Sequence, residues 1–240
     1  TRTAGSYRHR RGSLSSPLTR AAPSHQLFEP TRRGLDMKLV VLSQRVDDYP
    51  DRKERRDGLD QRLTSLILSI GYLPVPIPNA FHLELHSGAL NKNAFNTWIT
   101  AINPRAFLLS GGNDIGNFPE RDLVEGWLLD YAERHNLPAL GICRGMQLMG
   151  LRTGGKLKSL KGHIRTQHHL SGVIKGKVNS YHNKGLVKCP PKFRILARSE
   201  DGNIEAIRHE SLPWEGWMWH PEREPAVSPQ DIKRLKELFR

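Results

Sequence analysis

Cysteine is almost missing from this chain of 240 residues: Cys143 and Cys189 are the two present. Two thiols do not make a disulfide framework, and their scarcity fits a reducing compartment, so a cytoplasmic protein is expected. No Cys-x-x-Cys or His-rich spacing suggests a zinc site, and neither a metal nor a cofactor is expected. Long apolar runs are also missing. None reaches the roughly 20 residues of a membrane helix, so no membrane partner is expected. Lysine is absent from residues 1–36, which hold seven Arg and two acids, a balance of +5; residues 37–240 hold 30 basic and 22 acidic residues, a balance of +8. A basic stripe with interleaved aromatics is lacking too. Nucleic acid is therefore a minor reading, and the excess of +8 suits an anionic small molecule as well.

Residues 1–36 are Arg- and Ser-rich, poor in apolar periodicity, and begin with Thr. They read as a disordered extension, a transit segment, or non-native sequence. A natural start at Met37 is favoured, because a strand-like run follows it, and residues 37–240 are expected to form one domain. Within it strands and helices alternate. Residues 38–43, 72–77, 106–109 and 139–142 read as strands, the second broken by prolines into an edge segment. Leu59, Leu63, Leu66, Ile67 and Ile70 recur at helical spacing before Gly71. Residues 83–90 and 94–101 read as weak helices, 119–135 as a helix, and 45–57 as a charged loop. The second half is a series of short strand-like segments near 163–170, 173–180, 193–197, 204–208 and 217–220, closed by a helix at 231–239. The expected fold is α/β: a doubly wound, mostly parallel sheet with helices on both faces, plus short antiparallel strands in the C-terminal half. Ligands of such sheets bind where strand C-termini meet loops. Both the glycine-rich loop 110–116 and Cys143 lie there.

The chain is organised around residues 139–149, an apolar run ending in Gly-x-Cys-x-Gly, followed at once by a second apolar-periodic run. A short strand, a sharp turn with Cys143 at its tip and a helix would resemble the Gly-x-Ser-x-Gly nucleophile elbow, with sulfur replacing oxygen. Small neighbours Gly141 and Gly145 suit a strained turn, and helix N-terminal N–H groups favour a thiolate and a nearby oxyanion. A buried structural cysteine between two glycines is the competing explanation. A nucleophilic cysteine needs a base and a group that orients the base. His220 follows an aromatic segment, Pro221 stiffens the link, and Glu222 lies two residues on, where its carboxylate can fix the imidazole tautomer.

Ser110-Gly111-Gly112, Gly-Ile-Cys143-Arg-Gly-Met-Gln147 and His220-Pro-Glu222 occur in an order and spacing that resemble the class I glutamine amidotransferase domain, with its flavodoxin-like fold. The resemblance implies that Cys143 attacks a γ-glutamyl carbonyl, His220 moves protons and Glu222 orients His220. It also implies an oxyanion hole from the backbone N–H groups of Gly112 and Arg144, and a glutamyl pocket that includes Gln147; Asn113, where most subunits have proline, is a further substrate-binding candidate. The loop Ser-Gly-Gly-Asn-Asp114 and the stretch Val178-Asn179-Ser180-Tyr181-His182 are similar to the γ-glutamyl hydrolase branch, which adds Ser180, Tyr181 and His182 as substrate-binding candidates. Gly162-His163 has a counterpart there as well. Ser43-Gln44-Arg45, residues 56–61 and residues 201–206 are similar to the γ-glutamyl-CDP-amidate hydrolases of surface-polysaccharide clusters. The expected activity is hydrolysis of a γ-glutamyl amide through a thioester, with glutamate released. The alternative is a glutaminase subunit that feeds ammonia to a synthase. The expected partner is a small γ-glutamyl molecule, with homodimerisation left open. Arg45, Arg56 and Arg165 are candidates to meet an anionic leaving group, although for any single one a solvated surface arginine is the favoured reading. Asp60 and Gln61 are explained as well by helix capping as by substrate contact.

Overall fold

The computed structural model describes residues 38–82 and 91–240. The proposed N-terminal extension and the weak helix at 83–90 lie outside the described residues.

β1 (Leu39–Leu42) leads into a hairpin of β2 (Arg45–Tyr49) and β3 (Glu54–Gly58), then α1 (Gln61–Ser69) and β4 (Leu73–Pro76). Next come α2 (Lys92–Ile102), β5 (Ala106–Leu109), α3 (Pro119–Arg134), β6 (Ala139–Ile142) and α4 (Arg144–Arg152). The second half holds β7 (Leu157–Ser159), β8 (Ile164–Gly172), β9 (Gly176–Tyr181), β10 (Lys184–Leu186), β11 (Phe193–Arg198), β12 (Ile204–His209), β13 (Trp214–Trp217) and α5 (Pro229–Leu238).

Nine strands form one sheet in the order β4-β1-β5-β6-β13-β12-β11-β8-β9. From β4 to β13 the neighbours are parallel, and from β13 to β9 they are antiparallel. The central strands read as unbroken apolar runs because both faces are covered. Val40, Leu42, Leu108, Leu140 and Ile142 pack with Leu63, Leu66 and Ile67 of α1 and with Leu235 and Leu238 of α5. Val41, Phe107, Leu109 and Ala139 pack on the other face, with Phe95 and Ile99 of α2, Val124 and Leu128 of α3, and Met146 and Met149 of α4. The proline-broken segment is indeed the edge strand β4, where a missing N–H costs no ladder bond.

One expectation fails. Residues 45–57 are a β-hairpin rather than a loop. Charge hid it from an apolar pattern: Arg55 pairs across the strands with Asp48 at 3.5 Å, Arg45 and Arg56 pair along their own strands with Asp47 and Glu54, and the Arg56 guanidinium lies 5.2 Å from the Tyr49 ring. The hairpin docks through Asn79, whose backbone N–H and Nδ2 donate to Asp57 at 2.9 and 2.7 Å.

The order of the parallel strands fixes the site. β6 lies between β5 and β13, and all three run the same way. Their C-terminal ends therefore deliver Ser110, Cys143 and, three residues past Trp217, His220 to one sheet edge. No helix among the described residues is long and apolar enough to cross a membrane.

Two measurements check this packing. A Cβ on Gly145 would lie 2.4 Å from the Leu109 carbonyl oxygen. Alanine gains about 1 kcal/mol over glycine in a free helix, yet Gly145→Ala is expected to lose about 1–3 kcal/mol in urea unfolding through this clash; a gain would contradict the close approach. Near the start of α5, burial raises the Asp231 carboxyl to about 6, against the smaller opposing effect of hydrogen bonds from Trp219 and Ser228. A carboxyl raised in the folded state makes stability fall as pH rises from about 4 to about 6. Asp231→Asn is expected to be more stable than the parent at pH 8, with the margin vanishing toward pH 4 in melting curves.

Candidate functional site

Cys143 occupies the sharp turn between β6 and α4 with φ +51° and ψ −102°, a backbone conformation that a residue with a side chain adopts only under constraint. The constraint is visible on three sides. The Cys143 N–H donates to the Trp217 carbonyl at 2.6 Å, which ties the turn to β13. A Cβ on Gly141 would meet the Gly145 carbonyl carbon at 2.5 Å, and one on Gly145 would meet β5. The strand–turn–helix therefore closes only with glycine on either side of the cysteine.

The thiol is buried, and burial pushes it up to about 12, opposed by the backbone N–H of Arg144 and the charge of Arg223. The helix N-terminus acts in the expected direction, but desolvation outweighs it. Burial thus works against the thiolate that the helix N-terminus was expected to favour.

His220 stands beside it. A Cβ on Gly111 would be 2.6 Å from His220 Cε1, 3.4 Å from His220 Nε2 and 3.6 Å from Cys143 Cβ, so imidazole and cysteine meet at this glycine. Pro221 begins a single 3₁₀ turn, Pro221–Arg223, that folds Glu222 back onto the ring. His220 Nδ1 donates to Glu222 Oε1 at 2.7 Å, with both side chains buried. That bond leaves Nε2 as the acceptor. Asn179 on β9 holds the His220 backbone from both ends: its Oδ1 accepts from the His220 N–H at 2.9 Å, and its Nδ2 donates to the His220 carbonyl at 2.7 Å.

A cavity of about 210 Å³ is lined by Cys143, His220, Gly112, Arg144, Gln147 and Tyr181 among others. A second, of about 310 Å³, lies on the other side of His220 and is lined by Arg45, Asp60, Gly112, Glu222 and Arg223. Gln147 is buried, and its Nε2 donates to the Lys184 carbonyl at 2.9 Å. Tyr181 stacks edge-on to His220 at 5.9 Å and carries Arg223 over its ring at 4.8 Å. His182 also reaches the smaller cavity.

Three candidates are placed differently from expectation. Ser180 is wholly buried, and its hydroxyl donates to the His163 carbonyl at 2.7 Å; alternation along β9 turns it away from the cavity that Tyr181 faces. Asn113 borders the smaller cavity, but its amide is committed to β2: Oδ1 accepts from the Val46 N–H at 2.8 Å and Nδ2 donates to the Val46 carbonyl at 3.0 Å. Arg56 is held by Glu54 and Tyr49 on the outer hairpin, away from both cavities. Arg165 lines a third cavity, of about 790 Å³, with Tyr181 and Arg223. Asp60 caps α1 through Arg62 N–H at 3.0 Å, and Gln61 is exposed in its first turn.

Sequence patterns alone passed over Arg223, which borders all three cavities, and Arg121. Arg121 on α3 is fully buried; its Nη2 donates to the Ser110 and Gly111 carbonyls at 2.8 and 3.0 Å. In a trans peptide the N–H points opposite to the carbonyl. Pinning the Gly111 carbonyl toward α3 therefore turns the Gly112 N–H away from the guanidinium. Arg121 is compensated by Glu125 at 3.0 Å, and Glu125 in turn by the Arg144 side chain, which also pairs with Asp122. Burial raises the Glu125 carboxyl, but the charges of Arg121 and Arg144 outweigh it and hold the carboxyl below its usual range. The position of Arg121 and Glu125 one turn apart on a helix was the available signal.

The family profile described as glutamine amidotransferase class-I matches residues 81–239. The chain belongs to this family. Among related amidotransferase-type proteins, a glutamine-hydrolyzing GMP synthase subunit of Methanothrix thermoacetophila is 34% identical over 134 residues, covering 52% of this chain and 74% of that protein. The gamma-glutamyl-CDP-amidate hydrolase of Campylobacter jejuni is 32% identical over 141 residues, covering 56% and 70%. A solved structure from Thermoplasma acidophilum, described as a GMP synthase subunit, shares the fold with a TM-score of 0.62 at 19% identity, covering 85% of this chain and 94% of that one. Class I amidotransferase members named for different activities are thus matched at similar identity, so the resemblance to the γ-glutamyl hydrolase branch is not singled out. The catalytic character of this chain is that of a class I glutamine amidotransferase domain.

Arg121→Met would strand Glu125 with one partner and is expected to cost about 3–5 kcal/mol in urea unfolding. Arg121→Lys keeps the charge but loses the fork to the glycine loop. It is expected to fold, to lose at least tenfold in kcat for glutamine hydrolysis, and to keep KM within about twofold. Unchanged kcat would show that the loop holds its conformation without Arg121.

Proposed function

We propose that the protein is a cysteine-dependent glutaminase that works through a γ-glutamyl thioester on Cys143 and supplies ammonia to a separate synthase. The observation that carries the chemistry is the convergence of Cys143 and of a Glu222-oriented His220 at Gly111, beside a cavity with Gly112 on its wall.

His220 Nε2 takes the thiol proton as Sγ attacks the γ-carbonyl carbon. A thiol raised to about 12 is not ionised at neutral pH, so the base acts during attack rather than before it. Glu222 stabilises the imidazolium that forms. The oxyanion is assigned to the backbone N–H groups of Gly112 and Arg144, each such donor being worth about 3–4 kcal/mol. As the tetrahedral intermediate collapses, the C–N bond breaks and His220 protonates the leaving nitrogen. Water, deprotonated by His220, then attacks the thioester; the C–S bond breaks, His220 returns the proton to Sγ, and glutamate leaves. Gln147 and Tyr181, which border the smaller cavity, are assigned to the glutamyl group; His182 borders it too, but its ring nitrogens face the Lys184 carbonyl and Glu205. The ammonia-supplying role rests on the names of relatives such as the Methanothrix protein and the GMP synthase subunit of Thermococcus kodakarensis, 32% identical over 146 residues.

A specific observation favours a second reading, a free-standing hydrolase of γ-glutamyl conjugates such as γ-glutamyl-CDP-amidate in surface-polysaccharide modification. The cavity of about 310 Å³ beyond His220 carries Arg45 and Arg223, which suit an anionic leaving group, and the Campylobacter hydrolase is among the relatives.

Free glutamate is to be measured with glutamine and a panel of γ-glutamyl amides, nucleotide-linked ones included, with and without the synthetase component of a GMP synthase. The expected result is glutamine hydrolysis that the synthetase stimulates at least tenfold and that Cys143→Ala abolishes. Fast partner-free turnover of a nucleotide-linked amide, with glutamine left intact, would establish the second reading. Turnover that survives Cys143→Ala would remove the elbow cysteine from the chemistry.

A further inference from the structure

Behind the wall that carries His182, three buried side chains converge without hydrogen-bonding one another. His163 precedes β8, His182 follows β9, and Glu205 lies on β12. One ligand atom from each falls within a group spanning no more than 4.8 Å. All three side chains are almost wholly inaccessible.

The outer nitrogen of each ring fixes what the inner one offers. His163 Nε2 lies 2.8 Å from Asp201 Oδ2 and His182 Nδ1 lies 3.1 Å from the Lys184 carbonyl oxygen. A carboxylate and a carbonyl accept only, so both outer nitrogens donate. In the neutral rings the inner atoms, His163 Nδ1 and His182 Nε2, are then bare lone pairs. They face Glu205 Oε1 at 3.5 Å and Oε2 at 3.6 Å. Among the described residues, none of these four inward atoms has a hydrogen-bond partner. Two lone pairs and a carboxylate thus face one another in a place closed to bulk water, an arrangement that requires positive charge between them.

The spacing separates the two ways of supplying it. A charge-assisted N–H···O bond closes to about 2.7–2.9 Å. A tetrahedral ion with bonds near 2.0–2.2 Å sets its N and O ligands about 3.4 Å apart; each ring nitrogen lies 3.5–3.6 Å from a different Glu205 oxygen, and an ion would draw the set of three, which spans up to 4.8 Å, inward. Metal-bound imidazoles also characteristically donate their other N–H to a carboxylate or a backbone carbonyl, as both do here. Two imidazoles and a carboxylate form a borderline donor set that suits zinc over calcium or magnesium.

We propose that His163, His182 and Glu205 form a buried divalent transition-metal site, with Zn²⁺ the ion it fits. Water is the natural fourth ligand, and His168 Nε2, also without a partner, stands nearby with its ring 4.2 Å from that of His163. The ion is structural. It ties the β8–β9 hairpin to β12 and so fixes the wall of the smaller cavity, through His182, which belongs to both. The spacing 163…182…205 follows no metal motif, because the ligands come from just before β8, just after β9 and from β12 itself, which only the sheet brings together.

The full chain in a Cys143→Ala background, so that its thiol offers no ligand, is to be stripped with a strong chelator and titrated with Zn²⁺ and with Co²⁺. The expected results are one tightly held equivalent, an intense visible spectrum of four-coordinate Co²⁺, and a melting temperature that drops by several degrees on stripping and returns with Zn²⁺. Glu205→Gln should weaken binding at least tenfold and remove the Co²⁺ spectrum, while replacing the exposed His135 by Ala should change neither. If Glu205→Gln does not fold, the unsubstituted ligand set still decides through metal content and melting. A melting curve indifferent to chelator and Zn²⁺, with His163 and His182 doubly protonated by NMR, would overturn the proposal in favour of an imidazolium cluster. A Co²⁺ spectrum that survives Glu205→Gln would also overturn it.

Discussion

A row of buried charge beneath the elbow holds the site in shape. Arg121, Glu125, Arg144 and Asp122 alternate in sign along the contact between α3 and the start of α4. Each buried ion alone would be strongly unfavourable, and together they are tolerable because every charge touches an opposite one. The arrangement is weak as a source of stability but strong as a source of position. Arg121 grips the carbonyls of Ser110 and Gly111, while the Arg144 side chain pulls the first residue of α4 in the same direction. The two backbone segments assigned to the oxyanion hole are thereby tied to one ionic cluster, and their geometry does not depend on a substrate to form.

The elbow and the base are held by different means. Cys143 is fixed by the close approach of glycine backbone to β5, and by its hydrogen bond to β13. His220 is fixed by Asn179 along its backbone and by Glu222 at its ring. Asn179 comes from the antiparallel half of the sheet and Cys143 from the parallel half. The site therefore sits at the seam between the two halves, and β13, parallel to β6 and antiparallel to β12, is the strand that joins them. The β2–β3 hairpin then closes the seam from above, clamped by Asn113 and Asn79, and it brings Arg45 beside Gly112.

Most of the parallel half was legible because its strands are buried on both faces and its helices on one, so that apolar runs and helical periodicity mark them. The hairpin at Arg45–Gly58 was not, since its strands are charged and polar and an apolar pattern is absent. Ser180 and Asn113 were read by analogy from motif strings, and a string does not say which way a side chain turns. Pleating sent the Ser180 hydroxyl toward His163, and the clamp on Val46 took up the Asn113 amide. The neighbouring Asn179 does the positioning that the string suggested for its neighbours.

The sequence by itself determined the family, the order of the layers, and the three residues assigned to the chemistry, because a strained cysteine turn and a His-Pro-Glu link are local devices that need particular residues at fixed spacing. Only the tertiary structure decided the burial of Cys143, the second job of Arg121, and the meeting of His163, His182 and Glu205. Each of these depends on burial or on a contact between distant segments. Burial is what opposes, at Cys143, the thiolate that a helix N-terminus would favour.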